Sequence, residues 1–400
     1  MKHTIFLLFS LIPTLYSLKD RVREYQSIPF TQKEIDDVSA VMHEVSGTVG
    51  GNIIRPFQPE RLWLWRCWSG TVLQQTLPSV AINMGATMLL VVWIRRLTGA
   101  SWPVGLKPNA SHPLIARLAL FDDVWKYLMT LTTFILTFFL GEAFALWKRV
   151  YTVGRQIQGR LNDVSLMLAT HAKRDEYGRY TPQAHELLES VSTNIRAFHL
   201  LLWASCSKHY SCILTEQGSL QLVHRGILTR TQVNTLANME LLPPTQWHCV
   251  LLEWIMIQLQ DGFHLGALQG GAPVQLVLLE KCCELRGTFG SIGDVLAGRM
   301  PLAYTHLVQI LVDSLLFCAP FALYAELGEF SIVSVGILTL FYSGLLDLSK
   351  VLLDPLDNED YCQGSIKIDL SVLIRETNAA SNRWKIGAET LPFSNGPSRS

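Results

Sequence analysis

Four long apolar stretches stand out along the chain, separated by a polar N-terminal region, a Pro/Gly-rich loop and a central block of amphipathic pattern. The first runs over residues 70–94; Gln74, Gln75 and Asn83 soften it, and Arg95-Arg96 stop it. The second runs over residues 126–149, from Lys126 to Lys148-Arg149. The third begins at Pro301, a residue that loses no internal hydrogen bond in a first helical turn, and closes at Leu327-Gly328. The fourth covers residues 330–353. Each is long enough to cross a bilayer as a helix. The second is not a plain anchor. Phe134, Phe138 and Glu142 follow one another at intervals of four and share a helical face, and Thr130, Thr133 and Thr137 lie at helical spacing beside them. A carboxylate is costly in lipid, so Glu142 should face protein or water. Two readings follow: a buried bundle helix whose Glu142 reaches the interface, or a helix that lines something.

Between the second and third stretches the pattern turns amphipathic and mixed in charge. Residues 155–171, 183–209, 229–239, 246–266 and 274–285 read as helices of an all-helical, non-membrane module, with Pro243-Pro244 as a break. Glu253, Gln258, Gln260 and Asp261 disqualify residues 246–266 as a lipid-facing span. Lys148, Arg149, Arg155 and Arg160 follow the second span, which places this block on the cytoplasmic side or its equivalent. The chain therefore divides into a signal or anchor segment at 1–19, a linker at 20–54, a first membrane half at 55–150 with spans near 70–95 and 126–148, a soluble helical module at 151–299, a second membrane half at 300–353, an acidic turn and C-terminal helix at 354–385, and a tail at 386–400.

Composition supports this division. Of 400 residues, 49% are hydrophobic and only 16% charged, well below the quarter expected of soluble domains. Arg61, Trp63, Trp65, Arg66 and Trp68 interleave tryptophan with arginine, a mixture suited to a headgroup region. The formal net charge is zero, so nucleic-acid binding has no electrostatic support. Eight cysteines show neither a CxxC pair nor Cys/His ligand spacing, and read as mostly free thiols of a reducing compartment. Lys2-His3 followed by an apolar run from Ile5 to Tyr16 reads as a signal peptide or an N-terminal anchor, and Asn109-Ala110-Ser111 is a glycosylation sequence. No phosphate-binding loop, nucleophile elbow or convergent set of histidines argues for an enzyme. No internal repeat argues for a secondary transporter.

One further cluster carries chemistry. Asp354-Pro355-Leu356-Asp357-Asn358-Glu359-Asp360 places four carboxylates and an amide in a proline-initiated turn directly after the fourth span. Such oxygens suit a hard cation such as calcium, and equally an acidic cap exposed to solvent.

Several motifs in order resemble the bestrophin family, closer to its algal, plant and bacterial branch. They are Pro301-Leu302-Ala303-Tyr304-Thr305, Leu316, Pro320, Leu327-Gly328, Gly344 and Asp354-Pro355-Leu356 in the C-terminal half. In the second span and beyond they are Leu140-Gly141, Gly154-Arg155, Gly159-Arg160-Leu161 and the charged loop from His171 to Arg179. The resemblance covers roughly residues 55–385. It implies an all-α membrane protein with four transmembrane helices and an inserted cytosolic helical module, assembled as a homopentamer in the lipid bilayer around one axial pore. It implies an anion channel for chloride and bicarbonate, with Phe134 and Phe138 at a hydrophobic neck and Glu142 at a pore position where the family usually carries an apolar or aromatic side chain. It further implies calcium as a bound ion, with Asp354, Asp357, Glu359 and Asp360 as ligands, although Asp354 stands where the family has Asn and Cys362 near an expected Asp. A non-conducting scaffold or accessory subunit would keep the same pattern. The expected location is a plasma membrane or endomembrane, with a thylakoid or other plastid membrane as the alternative.

Overall fold

The computed structural model describes residues 30–40, 52–54, 58–68, 71–99, 112–239, 241–360, 366–389 and 391. The signal or anchor segment, the glycosylation sequence at Asn109 and the expected ligand position Cys362 lie outside the described residues. Twelve α-helices make up the described chain, joined by short 3₁₀ turns. They are α1 Gln32–Ala40, α2 Arg61–Arg66, α3 Val72–Thr98, α4 Pro113–His171, α5 Pro182–Cys206, α6 Glu216–His224, α7 Arg230–Ala237, α8 Trp247–His264, α9 Gly271–Ala297, α10 Leu302–Leu327, α11 Ser331–Leu352 and α12 Leu370–Glu389. Among the described residues there is no β-strand; Ala172–Leu268 and Arg174–Tyr180 form isolated bridges only.

The helix ends follow local chemistry. His112 accepts the Leu114 amide and Pro113 opens α4; Thr181 and Pro182 open α5 in the same way. Thr229 and Gln232 form a reciprocal capping box on α7. Gly328, at a φ of 56°, ends α10 and begins the 3₁₀ turn that reverses the chain into α11. In the region read from sequence as an irregular linker, α1 buries Ile35 and Val38.

Three described stretches are apolar and long enough to cross a membrane: Val72–Thr98, Pro113–His171 and Leu302–Leu352, the last divided at Gly328 into α10 and α11. Helices α3 and α11 pack antiparallel. Thr76 bonds to Asp347 at 3.1 Å near one end, Asn83 to Thr339 at 3.1 Å in the middle, and Arg95 pairs with Glu329 at 2.6 Å at the other. Gly336 lets α3 approach closely, since a Cβ there would meet the Met84 sulfur at 2.6 Å. Helix α4 runs antiparallel to α10, with the Trp125 indole N–H on the Leu315 carbonyl and the Phe139 ring edge-on to Tyr304.

The length of α4 sets the architecture. At about 1.5 Å per residue, its 59 residues reach roughly 90 Å. That is about three times the hydrocarbon thickness of a bilayer. Sequence reading separated the second span from a helix at 155–171; the structure joins them, because no Pro or left-handed residue interrupts residues 114–171. The buried positions of α4 recur at every third or fourth residue, through Thr132, Leu136, Phe139, Ala143, Trp147, Val150, Val153, Ile157, Leu161, Val164 and Leu168. This one stripe packs on α10 and α11 in its first part, and on α5, α9 and α12 in its second.

Around that second part helices α5 to α9 and α12 close a single large core. Helix α5 forms its centre, with Ala197 through Ala204 entirely buried. His199 accepts the Trp203 indole N–H at 2.8 Å, and His248 packs edge-on to Phe198 and Phe289. Burial pulls His199 down to about 3 and His248 down to about 4. Both rings stay neutral in the fold yet become charged in the unfolded chain below about pH 6.5. Stability is therefore undiminished above about pH 6.5 and falls as pH drops through the window down to about 4 and 3. Thermal unfolding of the purified protein should show a midpoint that declines from pH 7 to pH 5, with a shallower decline in His199→Gln. A midpoint flat over that interval would contradict the burial of these rings.

Candidate functional site on the long helix

Opposite its buried stripe, α4 carries an exposed one. Phe134 is 69% exposed and Phe138 60%, and with Thr133, Thr137, Gly141 and Glu142 they line an open hollow of about 340 Å³. The sequence-predicted neck residues and Glu142 are therefore neighbours on one face. The stripe continues past Ala145 to exposed Lys148, Arg149, Thr152 and Arg155, so it passes from aromatic to cationic along the helix.

The threonines bring little free hydrogen-bonding capacity. Thr130, Thr133 and Thr137 donate back to the carbonyls of Lys126, Met129 and Thr133, and the Thr133 hydroxyl also meets Tyr342 of α11 at 2.6 Å. What the face presents is methyl groups, phenyl edges and one carboxylate. Among the described residues, Glu142 makes no ion pair; neither Lys148 nor Arg149 reaches it.

Composition separates this face from its neighbours. The outer positions of α11 are Val333, Ile337, Phe341 and Leu345, and those of α3 from Ala81 to Trp93 are likewise apolar. Those faces suit acyl chains. The α4 face, which mixes Thr, Gly and Glu with Phe, suits protein or water.

The acidic turn lies at the junction of membrane and soluble helices. The Asp354 carboxylate, 1% exposed, accepts the amides of Asn358 at 2.9 Å and Glu359 at 2.8 Å. Burial pushes Asp354 above the usual carboxylate range; those two amides and the nearby Arg299 act in the opposite direction. Arg299, just beyond α9, pairs with Glu359 at 2.5 Å and lies 3.8 Å from Asp354. Lys367 pairs with Asp357 at 3.4 Å and Lys208 with Asp360 at 2.7 Å. Asn358 completes the joint: its oxygen accepts the Lys208 amide, and its nitrogen donates to the Cys206 carbonyl at the end of α5. Asp357 and Asp360 adopt positive φ, which Asp tolerates better than most residues.

Sequence reasoning missed the cations. Arg299 carried no motif, and Lys208 and Lys367 are far from the turn in the chain. It also took Arg95-Arg96 as a stop signal, whereas Arg95 is buried and paired with Glu329 across the bundle. The distribution of charge along an otherwise apolar turn was the available signal: an acid at Glu329 requires a partner.

No protein-family model and no curated protein sequence matches this chain. Solved structures do. One crystal structure of a bacterial bestrophin homologue from Klebsiella pneumoniae superposes with a TM-score of 0.58 at 15% identity, covering 78% of this chain and 99% of that one. A second variant of that homologue gives 0.56 at 15% identity over 76% and 97%. A structure described only as a membrane protein gives 0.57 at 15% identity over 78% and 98%. The chain has the bestrophin fold. At this identity the likeness establishes architecture, and the chemistry of the site rests on the residues above.

Within the bestrophin fold the acidic turn is where calcium was expected, with Asp354, Asp357, Glu359 and Asp360 as ligands. As folded, these residues do not fit that ion. Asp354 spends its oxygens on main-chain amides, and the other three carboxylates are each held by an Arg or Lys. Among the described residues no three His, Cys, Asp or Glu side chains converge to hold a metal. Arg299→Gln should cost about 3 kcal/mol, the scale for stripping one partner from a largely buried pair. It should lower the thermal midpoint, while calcium or a chelator leaves the wild-type midpoint unchanged. A calcium-dependent rise in that midpoint would contradict the pairing.

Proposed function

We propose that the chain is an anion-conducting membrane channel in which copies surround an axis lined by the exposed stripe of α4. The carrying observation is the contrast between that stripe, with its Thr, Gly and Glu, and the wholly apolar outer row of α11. A face of that composition is covered by other copies and by water. The bestrophin fold supports five copies in the ring, and it supports chloride and bicarbonate as the permeating ions. Phe134 and Phe138 then form an apolar constriction. Their ring edges carry partial positive charge and can accompany a partly dehydrated anion. Below it, Lys148 and Arg149 concentrate anions at the soluble end. The membrane is the plasma membrane or an endomembrane, with a plastid membrane as the alternative.

Glu142 favours a second reading. A ring of carboxylates at the axis would repel anions, and such an assembly would serve as a non-conducting scaffold or accessory subunit. Currents from the purified protein in planar bilayers under a chloride gradient separate the two. The channel reading expects anion-selective current; its absence across the accessible voltage range would support the scaffold.

Phe134→Ala and Phe138→Ala should each raise the basal current several-fold, because large apolar side chains hold a constriction closed by dewetting. Unchanged open probability in both would remove them from the gate. For Glu142→Gln, the reversal potential should shift toward the chloride equilibrium value. An unchanged reversal potential would place the carboxylate off the axis.

A further inference from the structure

Away from the long helix, the soluble core holds a cavity of about 90 Å³ that the channel reading does not use. Three elements enclose it. Helix α5 contributes Thr193, Arg196 and Leu200, the turn after α6 contributes Arg225, Gly226 and Ile227, and α12 contributes Ile374 and Asn378. The lining carries two guanidinium groups and no carboxylate. The enclosed volume exceeds what one water needs by several-fold and matches a single small polyatomic ion.

The two arginines are held but not neutralised. Arg196 donates Nε to the Ser192 carbonyl at 3.3 Å and Nη2 to the Thr193 hydroxyl at 3.1 Å. Arg225 donates Nη2 to the Asp36 main-chain carbonyl at 3.4 Å, and its Nε is buried without a hydrogen-bond partner. Among the described residues neither guanidinium has a carboxylate within 4 Å. Asp36 and Glu189 are engaged elsewhere. The Asp36 carboxylate accepts the amides of Gln32 and Gln221, and Glu189 pairs with Lys385. Burial draws the Arg196 guanidinium below its ordinary value, with the Glu189 carboxylate acting in the opposite direction.

Two partly buried guanidinium groups face this cavity with no carboxylate within 4 Å among the described residues, and one anion between them would serve both at once. Guanidinium N–H groups diverge in a planar fork that matches the oxygens of a phosphate-type ion better than a spherical halide. Asn378, 1% exposed, adds a side-chain amide to the same wall. We propose that this cavity binds one tetrahedral oxyanion of the phosphate type per chain, bridging Arg196 and Arg225. The bound ion ties α12 and the α6–α7 turn to the central helix α5, so its occupancy sets the rigidity of the soluble module.

Equilibrium dialysis of the full-length purified protein against radiolabelled inorganic phosphate, at fixed ionic strength in gluconate, tests this directly. The expected result is one phosphate per chain, competed by sulfate, with at least a ten-fold loss of affinity in Arg225→Gln and in Arg196→Lys, which keeps the charge but loses the fork. Phosphate should also raise the thermal midpoint of the wild type and not of Arg225→Gln. Absence of saturable binding, competition by chloride as effective as by sulfate, or undiminished binding in both variants would each overturn the proposal. Competition by a phosphorylated nucleotide stronger than by phosphate would overturn the assignment to the free ion. None of these measurements depends on current through the channel.

Discussion

A single unbroken helix of 59 residues constrains everything else in this chain. Its buried stripe must be covered along its whole length, first by membrane helices and then by soluble ones, so the two halves of the protein share one axis. Among the described residues, nothing in the same chain covers the part of its opposite face that carries Phe134, Phe138 and Glu142. That leaves Phe134, Phe138 and Glu142 side by side on an exposed surface unlike the wholly apolar outer row of α11.

The soluble module is joined to the membrane bundle at a second place, and the joint is electrostatic. The acidic turn after α11 meets Arg299 from the α9–α10 connection, Lys208 after α5 and Lys367 before α12. Withdrawing Asp354 and Glu359 from water is costly, and Arg299 with the turn's main-chain amides offsets it, while the Lys208–Asp360 and Lys367–Asp357 pairs lie nearer solvent. Main-chain amides, one buried carboxylate and three basic side chains thus do here what a bound ion would do elsewhere.

Much of the fold was legible in the chain. Apolar runs of spanning length, Pro301 and Leu327-Gly328 marked the membrane helices, and the spacing of Phe134, Phe138 and Glu142 placed them on one face. What stayed hidden were relations between distant segments. The continuity of α4 beyond Arg149 was obscured because its outer face changes from aromatic to charged, while the buried stripe that carries the helix onward is diluted by Gln158 and Ser165. The acidic turn read as a ligand set because its acids are adjacent in sequence, whereas its cations, at 208, 299 and 367, are not. Arg196 and Arg225 carried no pattern at all; only the fold makes them neighbours.

The central claim, that the Phe134–Phe138 face of α4 lines an axis shared by several copies, is tested most directly by cysteine cross-linking in membranes. In a background lacking reactive native thiols, Phe138→Cys should be joined to other copies by a short bifunctional thiol reagent, giving a ladder that ends at the full ring. Ile337→Cys, on the apolar outer row of α11, should stay monomeric under the same treatment. A ladder from position 337, with none from position 138, would contradict the account.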